Sequence, residues 1–289
     1  MAYPAHLAYI VNIMSSGKPI IFNGGGVYAF ATQSISGLNE ITRAKKREML
    51  DRPPVIATSL NYVFPLLDWD FLLSKGTFTK LFLSNFFTDL HYTMPVVTIY
   101  PVIRRPSVAF FSKFLSNSWG EKMVWNNGYC NTLAVDTLAY PGVKRLVEKA
   151  DFYGNPVLFF TSANFPGDPT IYDYAVVKKT FPTIDVIQDS FIDSLVQSHK
   201  NFGYDEWSSY TTIDLTKIPE GLVEIKRIGS VGLELVQYYF DTFFGRNHLK
   251  VVNTKDSKAL IRHPSFNNFE SMKHLFSNLE QYYIDADTG

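Results

Sequence analysis

The chain has one cysteine, Cys130, in 289 residues, so an intramolecular disulfide is excluded. It has no Asn-x-Ser/Thr acceptor, which leaves nothing in the sequence pointing to an oxidising compartment. Net charge is absent as well: 27 Lys and Arg balance 27 Asp and Glu, so the chain lacks the cationic excess that phosphate neutralisation by a dedicated nucleic-acid binder needs. No run of 18 uncharged apolar residues occurs. The best candidate, Met94 to Phe111, is broken by Pro95, Pro101, Arg104, Arg105 and Pro106. Residues 1–14 carry neither a basic leader nor a long apolar stretch. A cytoplasmic protein with no membrane association is the expectation. The six histidines never approach closer than eleven residues, which removes the usual H-x-x-x-H zinc pattern. With no G-x-S-x-G and a single Cys, the common nucleophilic hydrolases are also disfavoured.

What the chain has is apolar and aromatic content, 46% and 16%, enough for a large buried core. Leu7, Ile10, Val11 and Met14 fall at helical spacing, and Ser15-Ser16-Gly17 supplies the stop. A short apolar strand follows at 18–22 and ends in Asn23-Gly24-Gly25-Gly26, a turn that lets backbone approach a ligand closely. A basic helix is expected from Leu38 to Leu50 and a strand at 55–58. Further strands are expected at 133–135, 157–160, 211–215 and 223–227, with a helix at 142–150 beginning beside Pro141. The order of helices and strands favours an α/β sheet. Residues from Leu60 to about Phe111 read as a packed helical segment rich in aromatics, among them Trp69, Phe71, Phe78, Phe82, Phe86 and Phe87. Asp68-Trp69-Asp70 reads as a turn rather than a metal site. The tail beyond Gly245 shows no strong periodicity.

Thr161-Ser162-Ala163-Asn164-Phe165-Pro166-Gly167 directly follows an expected strand. Ligands in open α/β sheets bind outside the carboxyl ends of strands, and Ser and Asn there can bond phosphate or ribose oxygens. Taken alone, the same residues are better read as a turn cap. Likewise Arg43-Ala44-Lys45-Lys46-Arg47 alone reads as a solvated helix face.

Several fragments in order alter that balance. Ser162-Ala163-Asn164 with Gly167 and Pro169 resembles the S-A-N-x-S-G-x-P signature of the YrdC family, the threonylcarbamoyl-adenylate synthases. Residues 17–22 resemble the strand before that family's P-T-E-T-x-Y-G-L. Lys45 and Arg47, followed by Arg52 and Pro53, resemble K-x-R-P-x-x-K-P, and Leu133-Ala134-Val135 with Pro141 resembles L-A-V-R-x-P. Thr211 to Thr216 resembles S-T-I-V-D-L-T, and Arg227 to Ser230 resembles R-P-G-A.

The resemblance implies a YrdC-like open twisted mixed sheet with flanking helices over residues 1–237, an aromatic insertion near 60–106 and a C-terminal extension over 238–289. It implies a nucleotidyltransferase-type activity in which an amino acid or amine, bicarbonate and ATP give a carbamoyl-adenylate and pyrophosphate, with Mg²⁺ on the nucleotide and no protein metal site. On this reading Lys45 and Arg47 are the catalytic cations, because the leaving pyrophosphate needs charge neutralisation. Ser162, Asn164, Arg227, Arg52 and Thr211 line the nucleotide, and Tyr28, Asp136 and Gly25 face the substrate. The implied partners are a small-molecule substrate with bicarbonate, and RNA or a downstream transferase. Lys45→Ala is then expected to weaken nucleotide binding without moving the melting temperature.

Three departures bear on the substrate. The family's P-T-E-T is replaced by Asn23 and three glycines, and Glu48 stands where a proline would follow K-x-R. The Arg after L-A-V is replaced by Asp136, where a carboxylate repels an anionic ligand. These point to a substrate other than threonine, or to a non-catalytic module that keeps the fold's concave surface for RNA or protein. A genuine threonylcarbamoyl-adenylate synthase is the third reading.

Overall fold

The computed structural model describes residues 7–24, 27–46, 54–103, 123–166, 168–190, 193–194, 210–246, 248–253 and 268–288. Helix α1, Leu7–Ser15, buries Leu7, Ile10, Val11 and Met14, the stripe that its spacing sets out. Strands β1, Ile20–Asn23, and β2, Tyr28–Thr32, form an antiparallel hairpin, and the Gly24 N–H donates to the Val27 carbonyl at 2.9 Å across its turn.

Helix α2 runs Ile35–Ala44, starting earlier than the expected Leu38 because Ser34 caps it; the Ser34 hydroxyl accepts from the Gly37 N–H at 3.0 Å. Its end also differs from the expected Leu50: Lys45 follows as the cap and Lys46 takes a left-handed φ of 50°. Gly37 lets this helix lie against β2, since a Cβ there would sit 1.9 Å from the Thr32 hydroxyl.

After β3, Val55–Ala57, come two one-turn helices, α3 at Leu60–Val63 and α4 at Trp69–Leu72, then α5 at Lys80–Thr93. Asp68 caps α4 by accepting from the Phe71 N–H at 2.9 Å, the turn role read from sequence. Strand β4, Val96–Val102, lies within the stretch read as helical, and it occupies the middle of the sheet between β6 and β9. The remaining elements are β5 Trp125–Asn126, β6 Asn131–Asp136, α6 Pro141–Phe152, β7 Leu158–Ser162, α7 Tyr174–Thr180, β8 Asp185–Val186, β9 Thr211–Asp214, β10 Leu222–Arg227, α8 Leu233–Phe244, β11 Lys250–Asn253 and α9 Phe269–Thr288.

The strands form one mixed sheet in the order β11-β10-β9-β4-β6-β3-β7-β2-β1-β8, with β5 added to β6. Period-two alternation sends neighbouring side chains to opposite faces. Phe159, Leu133 and Val135 pack with α5 and α8 on one face, while Leu158, Phe160 and Ala134 pack with α1 and α6 on the other. Helix α9 lies along α6 and buries Leu279 and Tyr283 on this second face, while its Met272 joins the cluster of the first, so the tail that shows no strong periodicity in sequence is packed against the core. Among the described residues no helix is long and apolar enough to cross a membrane.

Candidate functional site

The polar turn after β7 is built around Lys45. Its side chain is 3% exposed, and Nζ donates to the Ser162 carbonyl at 2.5 Å and to the Thr161 hydroxyl at 3.2 Å. The end of α2 is thereby fixed to the carboxyl end of β7. Ala163 donates its N–H to the Tyr28 carbonyl at 2.8 Å, which joins the same turn to β2. The Asn164 amide nitrogen donates to the Asp168 carbonyl at 2.7 Å and to that of Phe165 at 3.2 Å, while its Oδ1 is buried without a hydrogen-bond partner among the described residues. That orphan acceptor is the group here with unused bonding capacity. The Lys46 ammonium lies 5.7 Å from the Phe165 ring centre. Tyr28 donates its hydroxyl to Asp193 at 2.9 Å, and burial together with that carboxylate pushes the phenol far above its usual range. Gly25, Arg47 and Arg52, also assigned to this site from sequence, lie outside the described residues.

A second polar group collects at the other end of the sheet. The guanidinium of Arg227, on β10, donates through Nε and Nη2 to the Tyr210 carbonyl at 3.1 and 2.8 Å. The Thr211 hydroxyl donates to the Val231 carbonyl at 2.6 Å and accepts from the N–H groups of Gly229 and Val231, so it pins the loop after β10. Asp136 ends β6 buried, and among the described residues neither its Oδ1 nor the nearby Tyr210 hydroxyl has a hydrogen-bond partner. Burial drives the Asp136 carboxyl well above the usual carboxylate range, opposed in part by the Thr137 N–H and the Arg227 charge. The Tyr210 phenol is raised by burial and by the neighbouring Asp136.

Register fixes how far apart the two groups are. Arg227 pairs with Thr212, Thr212 with Val97, Val97 with Asp136, Asp136 with Ala57 and Ala57 with Leu158, giving one transverse row across the sheet. Ser162 lies four residues further along β7 than Leu158, about 13 Å at ~3.3 Å per residue. The described residues therefore bring together Lys45, Ser162, Asn164 and Tyr28, and separately Asp136, Thr211 and Arg227. A cavity of about 680 Å³ lies away from both, lined by residues of α8 and β11 including Leu233, Tyr238, Asp241 and Arg246. Thr161 belongs to the stretch singled out from sequence, whereas Tyr210 was given no role there, its position beside a recognised fragment being the only signal for it, and nothing in the sequence singles out Asp193. No group of three or more His, Cys, Asp or Glu suited to a metal ion occurs among the described residues.

The raised pKa of Asp136 has a measurable consequence. Below the unfolded value of about 3.9 both states hold the proton; above it the unfolded chain ionises while the folded one resists, so this residue's contribution to stability falls as pH rises. Asp136→Asn is expected to gain stability relative to the parent steadily as pH goes from 4 to 8. Urea midpoints measured across that range check it; a difference independent of pH would contradict it.

No family model matches the chain, and no curated protein matches it. Solved structures do. P. abyssi Sua5, complexed with L-threonine, superposes with a TM-score of 0.56 at 16% identity over 89% of this chain and 64% of that one. A hypothetical protein of Streptococcus mutans UA159 superposes with a TM-score of 0.61 at 12% identity, over 86% of this chain and 94% of its own. This chain thus spans about 64% of the length of P. abyssi Sua5. The mixed α/β architecture, its twisted sheet flanked by helices on both faces, is the Sua5-like, YrdC-like fold.

Proposed function

We propose that this protein forms a carbamoyl- or acyl-adenylate from ATP, bicarbonate and an amine or amino acid other than threonine. The observation that carries the reading is the buried Lys45 ammonium held at the carboxyl end of β7, beside the unpaired Asn164 oxygen, in a fold shared with Sua5. In the proposed reaction the amine nitrogen bonds to the bicarbonate carbon, and a C–O bond of bicarbonate breaks so that its oxygen leaves as water carrying a proton from the nitrogen, giving a carbamate. A carbamate oxygen then attacks the α-phosphorus of ATP, the bond to the bridging oxygen breaks, and pyrophosphate leaves with its electron pair. Lys45, with Arg47 and Arg52, would hold the triphosphate and stabilise the charge developing on the leaving group. Ser162 and Asn164 would orient the nucleotide, and Mg²⁺ would accompany ATP rather than occupy a protein cage.

A second reading, a non-catalytic module that binds RNA or a protein partner, is favoured by one observation: the Arg227 guanidinium is spent on the Tyr210 carbonyl. Pyrophosphate release with ATP, Mg²⁺, bicarbonate and a panel of amines and amino acids separates these readings. Turnover with threonine alone would indicate a genuine threonylcarbamoyl-adenylate synthase, and RNA binding without ATP consumption would indicate the binding module.

Lys45→Ala is expected to reduce ATP affinity at least tenfold. Because Lys45 is buried and bonded, contrary to a surface position, the variant is also expected to lose about 1–3 kcal/mol of stability, the cost of leaving the Ser162 carbonyl unpaired. Calorimetric titration of the folded variant with ATP tests the site; unchanged affinity would remove Lys45 from it.

A further inference from the structure

The C-terminal helix α9 is bound to α6 by more than apolar packing. Glu280 reaches Lys144 at 3.9 Å and Arg145 at 3.7 Å, and the Arg145 guanidinium donates to the Tyr283 carbonyl at 3.2 Å. From this anchored helix Tyr283, fully buried, donates its hydroxyl to Asp189 at 2.6 Å. Asp189 belongs to the segment after β8, which the Ile187 N–H fastens to the Ile21 carbonyl of β1 at 2.7 Å. The Asp189 carbonyl accepts the Asp193 N–H at 2.9 Å, one helical turn on. The Asp193 carboxylate accepts from the Tyr28 hydroxyl at 2.9 Å and from the Gln188 amide at 3.0 Å. The Tyr28 carbonyl in turn accepts the N–H of Ala163, the middle residue of the polar turn after β7.

This unbroken series joins residues 283, 189, 193, 28 and 163, which lie far apart in the chain. Its side-chain links are charge-assisted bonds in buried or half-buried surroundings, where such bonds are strong. Gly142 on α6 completes the arrangement from the other side. A Cβ there would meet the Tyr283 hydroxyl at 2.9 Å and the Tyr140 ring at 3.0 Å, so the glycine leaves the room in which Tyr283 reaches Asp189.

We propose that helix α9 is a strap whose Tyr283, through Asp189 and Asp193, fixes Tyr28 and with it the Ser162–Asn164 turn of the candidate site. Tyr283 is thus a positioning residue that touches no ligand. The proposal depends on the nucleotide reading only for what the positioned turn binds. Nothing in the strap requires the ligand to be known.

The test is hydrogen exchange on the full chain, comparing the parent with Tyr283→Phe and, as a second route to the same contact, Gly142→Ala. Both variants are expected to speed exchange of the Ala163 amide roughly tenfold, consistent with loss of a buried charge-assisted bond. Amides of β4, in the centre of the sheet, are expected to keep their rates. Asp193→Asn, which weakens the series at its middle, should reproduce the Ala163 change. An Ala163 amide that exchanges at the parent rate in Tyr283→Phe overturns the strap, as does uniform acceleration that includes β4, because a generally loosened fold is not a positioned turn. ATP titration of the same samples distinguishes the two readings. If Ala163 responds while the parent binds no ATP, the strap stands and the nucleotide assignment falls; if both stand, the Tyr283→Phe affinity for ATP drops severalfold.

Discussion

Phe86→Ala is expected to lower the unfolding free energy by about 3–5 kcal/mol, the usual cost of emptying a tightly enclosed aromatic site. Phe86 is fully buried on α5, and its ring centre lies 5.6 Å from Phe87, 6.1 Å from Tyr239, 5.1 Å from Phe240, 5.3 Å from Phe243 and 4.6 Å from Phe244. Four of those five rings belong to α8, so one side chain joins the helix of the aromatic stretch to the helix that follows the last antiparallel strand pair. Removing it takes away apolar area and leaves a void that rings held by their own helices cannot close. The Tyr239 hydroxyl, which bonds Asp89 at 2.5 Å one turn beyond Phe86, holds the two helices at their present spacing and further limits collapse. Urea unfolding should show a lower midpoint with an unchanged slope. A loss under 1 kcal/mol would mean that the two helices do not pack through this ring.

The same region shows where reading the sequence succeeds and where it stops. The aromatic residues of α5 were legible as a helix with a buried face. Strand β4 was not, because all seven of its residues are buried, which erases the alternation that marks a half-exposed strand, and because Pro95 and Pro101 bracket and interrupt the run. Pro101 is tolerated there, its carbonyl accepting the Asp68 N–H at 3.1 Å. By contrast α1, β7 and β10 were visible as a helical stripe or as short apolar runs of strand length. Helix α9 escaped notice since its buried anchors, Met272, Leu279 and Tyr283, are diluted by polar and charged neighbours. Within the candidate site, Lys45 and Ser162 follow from motif fragments, and the structure sets them in contact. The meeting of Asp136 with Tyr210 depends on β9 and β6 flanking β4, and that of Tyr28 with Asp193 spans 165 positions. Neither pairing leaves a local trace in the chain.

Acid should destabilise this protein through His91 in particular. The imidazole is fully buried, its Nε2 placed 3.1 Å from the Thr58 carbonyl and its Nδ1 unpaired, with the Tyr92 ring edge-on at 5.0 Å. Burial lowers its pKa from 6.5 to about 4, the Thr58 carbonyl opposing that only in part. Above pH 6.5 the ring is neutral in both states and its contribution is complete. As pH falls towards 4 the unfolded chain takes up the proton first, and about 3 kcal/mol of stability is lost across that window. Carboxylates add slopes of their own, so the informative quantity is the difference between the parent and His91→Gln, which keeps a polar side chain but cannot titrate. That difference should shrink steadily between pH 6.5 and 4; a constant difference would mean that the ring is reached by water. Asp136 works in the reverse sense, since its raised carboxyl withdraws stability as pH rises from about 4. The two single variants should therefore diverge from the parent in opposite directions with pH, and the double variant, in which two opposing slopes are removed together, should follow the parent's profile between pH 4 and 6.5 more nearly than either single variant does.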